Sequence, residues 1–120
     1  MSIKQYGLDK SRRLKRKKLI ERLMAEGRDA FVYPVKMIYM PSELPLDVPF
    51  QVAFGVSKKR FRRAVKRNRV KRLLREAFRL NQDLLPGKSL ALMLIYVGKE
   101  EEDFRVVYEA IRQLFLETFK

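Results

Sequence analysis

The chemistry open to this chain is set by a dense run of basic side chains. Residues 58–81 contain twelve of the 28 Lys and Arg residues and one acid, Glu76, so the net charge is +11 over 24 residues. Cations at this density bind phosphate groups. The chain has no His and no Cys, and paired carboxylates are missing near the basic run, so nothing there could activate water or hold a metal. We predict no catalytic residue and no metal site in the protein.

An amphipathic helix is predicted to position these cations. At about 100° per residue, the apolar residues of the run fall within an arc of about 160°, and the polar ones lie opposite. The apolar arc contains Val70, Leu73, Leu74, Ala77, Phe78 and Leu80, and the opposite side contains Asn68, Lys71, Arg72, Arg75 and Arg79. One face should pack on a core while the other lies against a phosphate backbone. Because Phe61, Ala64 and Val65 fall outside the apolar arc, either the helix starts late or its first turns meet a different neighbour.

Asn68 is the unusual member of the cationic row. Asn forms helix less well than Lys or Arg, so an amide at this position indicates a specific hydrogen bond. The alternative is a solvated charged face on which no cation has an individual role. The large charge excess favours binding over that alternative.

Residues 54–79 carry a resemblance to a known family. The segment AVKRNRVKRLLREAFR, preceded by FGVSKK, resembles the protein subunit of bacterial ribonuclease P. The match extends to Arg13-Leu14-Lys15 upstream and to an apolar strand and closing helix downstream. The resemblance implies a ribonucleoprotein whose RNA subunit removes the 5′ leader from precursor tRNA, with Mg2+ bound chiefly by that RNA. The protein would bind the ribonuclease P RNA and the precursor tRNA.

The resemblance also implies two binding surfaces. The Arg-Asn-Arg helix would dock on the catalytic RNA through Arg67, Asn68, Arg69, Lys71, Arg72, Arg75 and Arg79. A cleft between the sheet and the first helix would take the single-stranded leader, lined by Arg13, Ile20, Met24, Lys36, Ala53, Ser57, Lys58 and Lys59. The family usually has aromatic side chains where Ile20 and Met24 align, so this chain departs from the pattern, and the alternative for both is an ordinary place in the core.

Short strands are predicted between the helices. Residues 31–40 are rich in aromatic and β-branched side chains, and Pro34 should break them into two strands. Residues 50–57 alternate between large apolar side chains and the set Gln51, Ala53, Gly55 and Ser57. The small face either leaves room for a nucleotide strand or is an ordinary solvent-facing side. Residues 89–97 form a nearly unbroken apolar run, which predicts a central strand.

The order of the elements predicts an α+β fold. A first helix ends at Gly27, and a closing helix follows the acidic residues 100–103, which we interpret as a helix cap rather than a metal site. Strand, helix, strand order predicts parallel pairing of residues 50–57 with 89–97. The result is an α-β-β-β-α-β-α chain with about four strands and helices packed on the sheet. A left-handed β-α-β crossover, against the usual rule, and a ribosomal protein S5 domain 2-like fold are implied by the resemblance.

Composition limits the remaining possibilities. At 120 residues and 47% hydrophobic content the chain predicts one domain, residues 1–120, with residues 1–11 as a flexible basic arm and no obligate protein partner. No apolar run approaches the roughly 18 residues of a membrane span, so we expect a cytoplasmic protein without membrane contact. The net charge of +14 makes a polyanion the natural partner, but charge alone does not separate RNA from DNA or from an anionic membrane. A structural RNA-binding protein, such as a ribosomal one, and a DNA-binding module are the alternatives.

Overall fold

The computed structural model describes residues 12–42, 49–87 and 89–119. The elements are α1 Lys17–Glu26, β1 Arg28–Val32, β2 Val35–Pro41, β3 Phe50–Val56, α2 Ala64–Asn81, a 3-10 turn Gln82–Leu84, β4 Leu90–Tyr96 and α3 Phe104–Thr118. The predicted α-β-β-β-α-β-α order is confirmed. The predicted basic arm, residues 1–11, lies outside the described residues.

The four strands form one mixed sheet in the order β1-β2-β4-β3. β4 lies between β2, with which it is antiparallel, and β3, with which it is parallel. The parallel pair follows from α2, which returns the chain to the starting edge before β4 begins. The prediction of a central apolar strand paired in parallel with residues 50–57 is therefore confirmed.

The break predicted at Pro34 is the turn of a hairpin. β1 and β2 pair antiparallel across it, with Val32 opposite Val35. The Pro34 carbonyl oxygen accepts a hydrogen bond of 2.8 Å from the Val97 N–H, which ties the turn to the end of β4. The first strand begins at Arg28, earlier than predicted, because the chain turns into the sheet directly after α1.

The main core lies between the sheet and the pair α2 and α3. Phe78 is fully buried at its centre, with its ring edge-to-face against Phe50, Phe54 and Phe115 at centroid distances of 5.3 to 6.0 Å. Such aromatic pairs add to the stabilisation from buried area. The core fixes which side of α2 faces outward.

A smaller core holds α1 on the other face of the sheet. Its buried members are Leu14, Leu19, Leu23, Ile38, Met40 and Ala91. Gly27 ends α1 where the helix meets β2: a Cβ atom there would lie 2.8 Å from Cγ2 of Ile38 and would collide with the Leu23 carbonyl oxygen. Glycine is required by close packing, since the backbone of Gly27 has an ordinary negative φ of −67°.

Two features of α2 differ from the sequence prediction. Leu80 is 48% exposed, because it sits at the margin of the apolar arc where α3 does not cover it. The buried position at this end belongs to Asn81, whose amide nitrogen donates to the carbonyl oxygens of Ala77 and Tyr108. The sequence left open why Phe61, Ala64 and Val65 fall outside the apolar arc. The helix begins at Ala64, after the buried Phe61, and Val65 is exposed.

The acidic residues before α3 do not cap it through their side chains. Asp103 occupies the N-cap position without a side-chain cap hydrogen bond, and the first turn contains no acid. The Tyr96 hydroxyl organises this segment instead, donating to the Glu100 carbonyl oxygen and accepting from the Glu102 N–H at 2.8 Å.

Candidate nucleic-acid interface

The exposed side of α2 presents the cations that the sequence places there. Burial of Val70 and Leu74 turns Asn68, Arg72 and Arg75 outward, and all three are exposed. Within the described ranges no hydrogen-bond partner is recorded for the Asn68 side chain. Its amide is thus available to a ligand, and the specific hydrogen bond inferred from its place in the row stays a prediction.

Arg67 differs from its neighbours because its guanidinium folds back on the chain. Nη1 donates to the main-chain carbonyl oxygens of Phe61 at 2.9 Å and Arg62 at 2.8 Å. These bonds fix the segment that leads into α2. Arg67 therefore has a structural role within the protein in addition to any role at a ligand.

Two further arginines of α2, Arg69 and Arg79, lie beside acids. Nη1 of Arg69 is 3.4 Å from Oε1 of Glu101, which extends one flank of α2 toward the segment before α3. Arg79 pairs with Glu76 one turn earlier, with 3.2 Å between Nε and Oε2. The bond to Arg79 lowers the pKa of the Glu76 carboxyl. Ion pairs near the surface contribute little to stability, so neither pair holds its arginine strongly.

The other flank of α2 faces the edge of the sheet. The Arg75 guanidinium lies 5.9 Å from the centre of the Phe54 ring, and Lys71 is on the same flank. The segment before α1 runs along the outer edge of β3, where the Leu14 N–H donates to the Val52 carbonyl oxygen at 2.9 Å. It closes a pocket of about 250 Å³ with Arg13, Lys15, Lys71 and Arg75 in its walls.

Arg13, predicted for the leader cleft, consequently lies at the junction of the two predicted surfaces. It forms a bridge with Val52 and shares the pocket with Lys71 and Arg75 of α2. Sequence reasoning did not assign Arg12 or Lys15 to this region. Arg12 places its guanidinium 5.2 Å from the centre of the Phe50 ring, a contact across 38 positions that no local pattern reveals.

The sheet face beside α1 is the surface on which the leader cleft is predicted, and we call it the cleft face. Gln51, Ala53 and Gly55 of β3 are half-buried on it, while Phe50 and Val52 point into the main core. In strand register, Gly55 lies beside Ile95, Ile95 opposite Lys36, and Lys36 opposite Phe31. Directly paired residues point to the same side of a sheet, so these four form one row across all four strands, which we call the cross-sheet row.

The remaining predicted cleft residues surround this face. Ile20 is half-buried and packs with Ala53 against the smaller core, whereas Met24 is 56% exposed. Lys58 and Lys59 are exposed just beyond β3, where the Lys59 N–H donates to Oγ of Ser57 at 3.2 Å. The core alternative thus fits Ile20 in part and does not fit Met24.

Comparison with known proteins decides the family. A family model described as Ribonuclease P matches residues 8–118. The chain belongs to the ribonuclease P protein family. It is 40% identical over 114 residues to the ribonuclease P protein component of Porphyromonas gingivalis, covering 90% of this chain and 83% of that protein. It is 35% identical to the protein component of Caldanaerobacter subterraneus subsp. tengcongensis, covering 92% of this chain and 91% of that one.

Solved structures of ribonuclease P proteins have the same fold. The protein from Staphylococcus aureus aligns with a TM-score of 0.72 at 18% identity, covering 90% of this chain and 96% of that chain. The protein from Thermotoga maritima aligns with a TM-score of 0.70 at 25% identity, covering 88% and 96%. The predicted α+β class is confirmed, and so is the predicted role as a protein component of ribonuclease P, the tRNA-processing enzyme.

The described residues lack a metal-binding cluster and a membrane-spanning helix. No group of three or more His, Cys, Asp or Glu side chains is arranged to hold a metal ion within residues 12–42, 49–87 and 89–119. Over the same residues, none of the helices has both the length and the apolar character needed to cross a membrane. Glu101 pairs with Arg69 through its carboxylate, and Glu100 and Glu102 contact the Tyr96 hydroxyl through their main chain.

Proposed function

We propose that the exposed side of α2 docks this protein on the ribonuclease P RNA. The observation that carries the proposal is the outward row of Asn68, Arg72 and Arg75, fixed by burial of the opposite side of the helix. Cations gathered on one helix face bind a phosphate backbone and release its counterions. Arg69 and Arg79 join the row by exchanging exposed carboxylates for phosphate, and Lys71 extends it toward β3.

We propose further that the cleft face takes the single-stranded leader of precursor tRNA. Its support is the floor of small side chains at Ala53 and Gly55, with Lys36 in the same face and Lys58 and Lys59 at one end. A strand of nucleotides needs room for its bases and cations for its phosphates, and this face offers both. Arg13 connects the leader cleft to the docking helix.

In this assignment the chain contributes binding and orientation, and Mg2+ belongs to the RNA subunit. The described side chains proposed to contact phosphates are cations and the Asn68 amide, which bind and orient the RNA. The ribonuclease P RNA and precursor tRNA are thus the proposed partners. Because precursor tRNA is processed in the bacterial cytoplasm, we place the protein there.

The docking proposal is tested by charge reversal. The double variant Arg72→Glu, Arg75→Glu should weaken binding to ribonuclease P RNA, and should flatten the wild-type dependence of log K on log salt, expected near −4 for about five phosphate contacts. The control is Arg105→Glu, Arg112→Glu on α3, which changes the net charge equally at two exposed positions on another helix. Equal losses in both double variants would mean that total charge, not the α2 face, binds the RNA.

The cleft proposal is tested by adding bulk. Ala53→Trp should weaken binding of leader-bearing precursor tRNA to the holoenzyme and spare mature tRNA and assembly with ribonuclease P RNA. The control, Leu116→Trp, adds an indole to an exposed position of α3. A thermal melt identifies any overpacking, which costs about 1–3 kcal/mol. A stably folded Ala53→Trp protein with the wild-type preference for leader-bearing substrate would contradict the cleft assignment.

A further inference from the structure

Two large aromatic side chains are exposed on the hairpin of β1 and β2. Phe31 is 57% exposed and Tyr33 is 51% exposed. Among the described residues, they are the two aromatic side chains that are mostly exposed. Exposing a Phe ring to water is unfavourable, at roughly 25 cal/mol per Å² of apolar surface. Contiguous exposed apolar surface is typical of binding sites, so this pair of rings is a candidate contact for a ligand.

The rings of Phe31 and Tyr33 contact each other. Their centroids are 6.5 Å apart with an interplanar angle of 81°, an edge-to-face contact. Tyr33 also lines a groove with Asp103 and Val106 at the start of α3. The edge-to-face contact with Tyr33 restricts the Phe31 ring, which reduces the entropy lost when a second flat group stacks on Phe31.

The strand register places Phe31 at one end of the cleft. In the cross-sheet row, Phe31 is directly opposite Lys36, followed by Ile95 and Gly55. With strands about 4.8 Å apart, the row extends about 14 Å from Phe31 to Gly55. Its order is an aromatic ring, a cation, an aliphatic side chain and a gap without a side chain.

We propose that Phe31 is a stacking site for an unpaired base of the leader, with Lys36 taking a phosphate of the same nucleotide or its neighbour. The proposal rests on the assignment of the leader to the cleft face. Every base has a π-face, so stacking on an aromatic ring is possible without a sequence preference. The charges near Phe31 determine on which side of the ring the phosphate lies. Lys36 attracts the phosphate, while Asp29, two residues before Phe31 on the same side of β1, repels it.

The site also supplies what α1 does not. Ile20 and Met24 border the cleft with aliphatic side chains, so neither can stack with a base as an aromatic ring does. Phe31 provides an aromatic surface on the same sheet face, from the edge strand farthest from β3. If the leader crosses the row from Gly55, the nucleotide that reaches Phe31 follows the nucleotide bound near β3 along the leader.

The test separates stacking from apolar contact. Phe31→Leu keeps an apolar side chain and removes the ring, whereas Phe31→Trp keeps an aromatic surface. In the holoenzyme, Phe31→Leu should weaken binding of leader-bearing precursor tRNA by about 5-fold or more, the lower end expected for one stacked base, while Phe31→Trp restores it. Mature tRNA should bind all three proteins equally. Leu116→Ala, at an exposed apolar position of α3, is the matched control.

A fluorescent base supplies a second measurement. With 2-aminopurine at successive leader positions, wild-type holoenzyme should quench one position through stacking, and Phe31→Leu should restore fluorescence there alone. If wild-type holoenzyme shows no preference for leader-bearing substrate, the cleft assignment fails as well. If the preference exists and Phe31→Leu retains both the preference and the quenching, this inference alone is overturned. Phe31→Leu could instead change the sedimentation of the free protein while leaving the preference for leader-bearing substrate unchanged. That result would assign the two rings to self-association and would also overturn this inference.

Discussion

Arg67 and Phe61 are joined by a hydrogen bond of 2.9 Å from Nη1 of the guanidinium to the main-chain carbonyl oxygen. The same nitrogen bonds to the Arg62 carbonyl oxygen at 2.8 Å. The residues of the Arg-Asn-Arg segment therefore have different roles. Arg67 holds the approach to α2 in place, and Asn68 faces outward.

Arg67→Met should lower the free energy of unfolding by about 0.5–1.5 kcal/mol, because two carbonyl oxygens lose their donor. Arg72→Met removes the same charge from an exposed position and should change the free energy of unfolding by less than about 0.5 kcal/mol. Urea denaturation of both variants measures the difference. Equal stability of the two proteins would show that the Arg67 hydrogen bonds contribute nothing to folding.

Asn68→Ala should reduce affinity for ribonuclease P RNA while leaving the charge unchanged. Its exposed amide has no recorded partner in the described part of the chain, and Ala is the better helix former, so stability should rise by up to about 0.7 kcal/mol. Titration of the RNA with each protein gives the affinity, and a melt gives the stability. Unchanged affinity would mean that the amide makes no contact with the RNA.

Tyr96→Phe should destabilise the protein at neutral pH by about 1–3 kcal/mol, because the hydroxyl joins the Glu100 carbonyl oxygen and the Glu102 N–H. Burial raises the pKa of Tyr96 above its ordinary value near 10. The stabilisation is therefore complete below about pH 10 and is lost as the pH rises through the raised pKa, since the unfolded chain ionises first. Urea titrations at pH 7 and pH 11 should show the gap between wild type and variant narrowing. A constant gap would contradict this reasoning.

Gly27→Ala should lower the free energy of unfolding by about 1–3 kcal/mol, because its Cβ would collide with the end of α1 and with Ile38. Gly55→Ala is the matched control. Its Cβ would lie 3.6 Å from Cγ1 of Ile95, an ordinary van der Waals contact, so stability should be unchanged or slightly higher. Thermal melts of both proteins test the contrast. Similar midpoints would show that α1 can shift away from β2 at little cost.

Much of the fold could be predicted because backbone geometry imposes local periodicity. The outward side of α2 follows from the 3.6-residue repeat, and the small side of β3 follows from alternation. The error at Leu80 shows the limit of such patterns. An apolar residue at the margin of a helical arc is buried only if a neighbouring element reaches it, and α3 leaves Leu80 48% exposed while covering Asn81.

The sequence by itself determined the cationic helix, the lack of His and Cys, the order of the elements and the family motif, since each depends on residue type and short spacing. Only the tertiary structure decided that Arg67 folds back on Phe61, that Arg69 meets Glu101, that Arg13 joins the α2 flank, and that Phe31 shares a row with Lys36 and Gly55. The physical reason is that strand register and helix packing set these pairings. They bring together side chains whose separation along the chain carries no periodic signal.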